Sequence, residues 1–150
     1  MDDTMTPSAM RDALLTEHRE IRAHMEAVRA EAAGPAEAGL SSAARAALRG
    51  LAELVEAHLA HEESLLGRVL PGVDAWGPAR VDAMMREHAA EHAALAQALR
   101  AVSQGAEALT AVRVWGVLDT LARQMTDEER DFLGEEVLHD DYLPRDTVTG

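Results

Sequence analysis

Cysteine is absent from the chain, and with it go disulfides, thiolate metal sites, iron–sulfur clusters and cysteine nucleophiles. Aromatic residues make up only 3% of the sequence, and β-branched residues are sparse. Ala, Leu, Glu and Arg dominate instead, and these strong helix formers predict an all-α protein. Basic residues are few: 14 stand against 27 acidic ones, for a formal net charge of −13. No basic run breaks this balance. A surface so acidic repels nucleic-acid phosphates and anionic lipid, so neither nucleic acid nor membrane is expected as a partner. The start of the chain, Met1-Asp2-Asp3, is acidic and lacks a long apolar run. No signal peptide or transmembrane span is read there, and a cytoplasmic protein is the expectation. Gly-x-Ser-x-Gly, a phosphate-cradling glycine loop and a dinucleotide fingerprint are all missing, which leaves hydrolase chemistry without support.

What is present is a punctuated helical pattern. The 150 residues suit one domain, 1–150, with enough chain to bury a core. Thr6-Pro7-Ser8 opens a first helix and Gly34-Pro35 stops it; Ser41 or Ser42 opens a second, ended by Pro71-Gly72. Gly77-Pro78 precedes a third helix, and Gly105 separates it from a fourth. The spacing predicts helices over roughly 8–33, 42–70, 78–104 and 106–138, with short polar tails. Short connections between long helices imply an up-down-up-down antiparallel four-helix bundle.

Alternating steps of three and four residues trace the inward stripes. The first helix gives Leu14, His18, Ile21, Met25 and Val28; the second gives Leu48, Leu51, Val55, His58, Glu62, Leu65 and Val69. Met85, His88, His92, Leu95, Leu99 and Val102 follow on the third, and Val114, Val117, Leu121, Gln124, Glu128 and Phe132 on the fourth. Each stripe is apolar except at one level. There His18, His58/Glu62, His88/His92 and Gln124/Glu128 face the axis, and helix lengths measured from the turns bring them to similar heights.

A four-residue step returns a side chain about 40° round and roughly 6 Å along a helix, so each pair shares a face. A lone pair of this kind reads as solvated surface, and His18 alone as a core histidine. Four stripes broken at one level read differently. Two carboxylates and several imidazoles are costly in an apolar core unless paired or metal-bound. Two metal ions would neutralise both glutamates and use the imidazole nitrogens, as in dimetal bundles. Oxygen and nitrogen donors without sulfur fit iron or manganese, with zinc compatible through imidazole. The other marked residues read as ordinary: His24 and His139 as solvated, Trp76 and Trp115 as packing near bundle ends.

These motifs resemble the hemerythrin-like, or HHE cation-binding, family. The resemblance rests on Glu17-His18, on His58-Leu59-Ala60-His61-Glu62-Glu63 and on Glu87-His88-Ala89-Ala90-Glu91-His92, and it covers about residues 8–138. It implies that Glu62 and Glu128 bridge two irons joined by an oxo or hydroxo group. It further implies that His88 and His92 bind one iron, and His18 and His58 the other, which keeps an open position. The fourth helix departs from the family pattern. Its segment Leu121-Ala122-Arg123-Gln124-Met125-Thr126-Asp127-Glu128-Glu129 carries Gln124 where histidine is expected, and Glu129 is a second choice for the bridging carboxylate. Three outcomes are open at that place: Gln124 binds through its amide oxygen, it only hydrogen-bonds a metal-bound water, or His61 swings inward as the ligand.

The resemblance implies binding or turnover of O2, peroxide or NO. Leu121, one turn before Gln124, is placed to wall the ligand pocket. A loosely bound Gln124 favours peroxidase- or catalase-like chemistry over oxygen carriage, because both ions then keep exchangeable positions. A regulatory or interaction module with a purely structural metal is the alternative of another class; the sequence names no protein partner. A ferritin-like site is disfavoured, since it would use Glu-x-x-His where this chain has His-x-x-x-Glu.

Overall fold

A computed structural model describes residues 5–33, 39–69, 78–104 and 111–140. They form four helices and no strand: α1 (Pro7–Glu31), α2 (Ser42–Val69), α3 (Pro78–Gln104) and α4 (Ala111–Asp131). The starts follow local chemistry. Thr6 takes an extended backbone and its hydroxyl accepts from the Ala9 N–H, while Pro7 fills the first turn, where its missing N–H costs nothing. Ser41 does the same for α2, accepting from the Ala44 N–H at 3.1 Å.

Helix α1 packs on α2 and α4, α2 on α3, and α3 on α4. One apolar cluster draws on all four helices, including Ile21, Leu51, Val55, Leu99, Leu118 and Leu121. A second, smaller cluster joins Met10, Leu14, Leu65 and Leu66 to Leu133 and Leu138. Residues 18, 58–62, 88–92 and 128 fall between these two apolar layers, so the fold sets the polar level between two apolar ones.

The fourth helix departs from its expected course in two ways. It ends at Asp131, seven residues before Leu138; residues 105–110 lie outside the described residues. Past Asp131 the chain turns, with the Leu133 N–H reaching back to the Glu128 carbonyl and the Val137 and Leu138 N–H groups donating to the Gly134 carbonyl. A continuing helix would carry Leu133 and Leu138 off the end of the bundle. The break instead folds both into the second cluster, where they are 3% and 0% exposed. Asp140 then accepts from the Ser8 backbone N–H at 2.9 Å and from its hydroxyl at 2.5 Å, tying this turn to the start of α1.

The inward face of α4 is also rotated slightly from expectation. Val114, Leu118, Leu121, Met125 and Glu128 are buried, while Val117, Gln124 and Phe132 sit at the edge. Trp115, read from the sequence as packing, is 38% exposed; Trp76 lies outside the described residues. No helix among the described residues is long and apolar enough to cross a membrane.

Candidate metal centre

Six polar side chains converge at the polar level. His18, His58, Glu62, His88, His92 and Glu128 are all between 0 and 5% exposed. Their donor atoms fall into two groups, His18/His58/Glu62/Glu128 and Glu62/His88/His92/Glu128, each with its chosen atoms within 4.8 Å of one another. Both carboxylates belong to both groups, and the imidazoles divide two and two.

The Nε2 atoms of all four histidines point inward. His18 Nε2 lies 3.1 Å from His58 Nε2 and 3.4 Å from Glu128 Oε2. His58 and His88 each approach Glu62 at 3.3 Å, and His92 approaches Glu128 at 3.1 Å. Donor separations of this size match the roughly 3.0–3.4 Å edges of octahedral or tetrahedral coordination at about 2.1 Å. Glu62 Oε2 supplies a sharper test. It is buried and makes no well-formed hydrogen bond, with His58 Nε2 at 3.3 Å outside hydrogen-bond geometry, although a carboxylate oxygen in that position needs a donor or a cation. The donor set therefore fits a pair of divalent or trivalent ions, with two carboxylates to offset charge that imidazoles alone would leave uncompensated.

Electrostatics agree with a site built to hold cations. Burial by itself raises the pKa of Glu62, yet the His58 and His88 imidazoles beside it hold it down to about 2. Burial likewise raises that of Glu128, and hydrogen bonds with His18 and His92 outweigh it in the lowering direction. His58 and His88 mirror this: burial lowers them, and Glu62, joined at His58 by Glu17, raises them further than burial takes away.

An outer layer of carboxylates orients the rings. His58 Nδ1 donates to Glu17 Oε2 at 2.6 Å, His18 Nδ1 to Glu129 Oε1 at 2.9 Å, and His92 Nδ1 to Glu63 Oε1 at 3.2 Å. Such bonds fix the tautomer and leave Nε2 unprotonated for a metal. Glu129 is therefore an outer partner of His18, also held by Arg22 at 2.7 Å, and the inward carboxylate is Glu128. His61 belongs to neither group; its Nδ1 donates to Glu17 Oε1 at 2.5 Å and its side chain is 40% exposed. The sequence reading missed Glu17 and Glu63 as orienting groups. Their signal was adjacency: each stands next to an inward residue, about 100° round the helix, toward the neighbouring helix rather than the core.

Each outer carboxylate reaches from one helix to the next: α1 to α2, α2 to α3, and α4 to α1. The α3/α4 interface has no such latch among the described residues. Glu91, placed beside His92 as Glu17 is beside His18, makes no hydrogen bond or ion pair among the described residues. At that interface a groove of about 730 Å³ opens, reaching inward to His88, Gln124 and Glu128. Gln124 is half-buried in it and donates its amide N–H to Glu128 Oε1 at 3.3 Å. Phe132 packs on the His88 ring at a centroid distance of 5.5 Å. Leu121 is buried in the main core, and Val117 and Thr120 of the same helix line the groove.

No curated protein sequence and no solved structure matches this chain. The family model described as hemerythrin HHE cation-binding domain matches it over residues 9–135. That span holds all six converging side chains, all four helices except the first two residues of α1, and the three outer carboxylates, and the chain belongs to the hemerythrin HHE cation-binding family.

Proposed function

We propose that the protein is a non-haem di-iron protein that binds O2 or peroxide between its four helices, arranged up-down-up-down. The observation that carries this reading is the sharing of Glu62 and Glu128 by both donor groups. Two shared carboxylates suit two adjacent ions of one kind, and all-nitrogen-and-oxygen donors suit iron, with manganese or zinc as the competing occupants. The antiparallel arrangement is supported by cross-helix contacts: Arg29 meets Asp119, His18 meets Glu129, and Ser8 meets Asp140. Between α2 and α3, Glu56 meets Arg100 and Glu62 meets His88.

Within this reading His18 and His58 hold one ion, His88 and His92 the other. When bound, an iron pair supplies two electrons for reduction of O2 or peroxide. The chain's own residues decide what else happens. Glu17, Glu63 and Glu129 keep three imidazole rings fixed, and the two apolar layers shield the polar level along the bundle axis on both sides. Gln124 stands in for the family's fourth-helix histidine and engages Glu128 instead of offering an imidazole. An amide is a weaker ligand than imidazole, so this side of the pair keeps an exchangeable position facing the groove. That favours peroxide turnover, 2 H2O2 giving O2 and 2 H2O, over reversible oxygen carriage.

Metal content and the ultraviolet–visible spectrum of aerobically purified protein test the first part. Two irons per chain with near-ultraviolet bands are expected; zinc, one ion or none would overturn the oxygen chemistry. Peroxide consumption by the parent and by Gln124→His tests the second. The variant is expected to be slower, and equal or faster turnover would sink the role given to Gln124.

A further inference from the structure

The groove between α3 and α4 is far larger than a diatomic gas or peroxide requires, and its volume lies within the range of about 300–1,000 Å³ typical of sites for organic ligands. Outside the buried His/Glu cluster, no hydrogen bond or ion pair joins α3 to α4 among the described residues. The middle of the groove has an aliphatic floor, Ala94, Leu95 and Ala98 from α3 with Gly116 and Val117 from α4, between charged residues at its two ends. A smaller apolar recess, lined by Ala98, Ala101, Val102 and Val117, continues it past Arg113.

Charge is distributed unevenly along this groove. Arg113 lies at the end remote from the metal centre, and Arg123 lies on the rim. Neither makes a hydrogen bond or ion pair among the described residues, which is notable in a chain of net charge −13. Glu87, Glu91, Asp127 and Asp131 line the end nearer His88, where Arg123 on the rim and Arg130, bound to both aspartates, offset them only in part. An anionic head group is therefore repelled from the inner end and attracted to the outer one. From Arg113 to Gln124 the helix rises roughly 16 Å, at about 1.5 Å per residue.

We propose that this groove binds a linear aliphatic carboxylate, its head group on Arg113 and its chain lying along Leu95 and Val117 toward Gln124. Arg113 gives the carboxylate a charged donor, the walls cover the chain, and the acidic inner rim sets its direction. The free end of the chain then stops beside Gln124 and Glu128. That last placement, next to a metal pair, rests on the di-iron reading; the binding itself does not.

Gly116 offers a selective probe. A Cβ built there meets nothing within 4 Å, and it lines the groove, so Gly116→Leu fills the groove while improving helix propensity. Calorimetric titration of the full-length protein with dodecanoate, at measured metal content and again after chelation, is the test. One dodecanoate per chain is expected in both forms, with dodecyltrimethylammonium and acetate bound at least tenfold more weakly. Arg113→Gln is expected to weaken dodecanoate several-fold, in line with one charged hydrogen bond at an exposed site. Gly116→Leu is expected to abolish binding with an unchanged or higher melting temperature. Equal affinity for the cationic analogue, or undiminished binding by folded Gly116→Leu, overturns the proposal. A chain that binds dodecanoate but takes up no metal refutes only the di-iron reading, and one that takes up two irons but no dodecanoate refutes only the groove.

Discussion

His58 donates its Nδ1 hydrogen to Glu17 at 2.6 Å, across the interface between α1 and α2, while its Nε2 faces the Glu62 carboxylate at 3.3 Å. The first contact makes the second useful, because a ring held at Nδ1 presents an unprotonated Nε2 to a metal. Glu17→Gln is expected to lower metal affinity about 10- to 100-fold with helical content unchanged. Competition against a chelator of known affinity measures this, and an unchanged affinity would show that Glu17 does not orient His58.

Glu62 is 0% exposed and shared by both donor groups. Glu62→Ala is therefore expected to reduce metal uptake from two ions per chain to one or none. Glu63→Ala, which removes only the outer contact of His92, is expected to retain two ions at lower affinity. Elemental analysis after desalting separates them, and two ions retained by Glu62→Ala would contradict a bridging role.

Chelated protein is expected to be most stable at mildly acidic pH. Glu62 and Glu128 have depressed pKa values, so their contribution is complete above the ordinary carboxylate value of 4.5 and fades as pH falls through the folded-state values. His58 and His88 are raised, so theirs is complete below 6.5 and fades as pH rises through their folded-state values. Thermal melts from pH 3 to 9 should peak between about 4.5 and 6.5. Metal loading demands neutral imidazoles, so it should release protons and shift the optimum upward. A pH-independent melt of the chelated form would remove the ion network from the account.

Leu138 lies beyond α4, yet it is 0% exposed against Met10, Leu14, Leu65 and Leu66. Leu138→Ala is expected to destabilise the protein by about 2–5 kcal/mol, as for a buried leucine in a helix. Denaturant unfolding measures it. A cost below about 0.5 kcal/mol, the level of an ordinary surface change, would mean that the 132–140 turn is not docked.

The polar level was legible because burial makes it conspicuous: an apolar stripe with His58 and Glu62 in it has few physical explanations. The last turn was not legible for the opposite reason. Gln124 and Phe132 obey the same three–four spacing as Leu118 and Met125, and only packing against α3 decides which set turns inward. The end of α4 escaped because Leu133 and Leu138 satisfy a helical period and a folded-back turn equally well. The outer carboxylates escaped because glutamate on a helix surface is common, and only a neighbouring helix distinguishes Glu17 and Glu63 from solvated residues.

All four helices contribute to one cluster, and none of its six members is more than 5% exposed. Three of the interfaces around it carry an outer carboxylate, and the fourth, α3 against α4, opens as the groove that reaches His88, Gln124 and Glu128. An ion seated there would therefore enter and leave along that seam, with local separation of α3 from α4 as the motion that sets the rate. Loading and loss would be faster than in a bundle latched on all four sides, and a molecule filling the groove would act as a stopper that slows both.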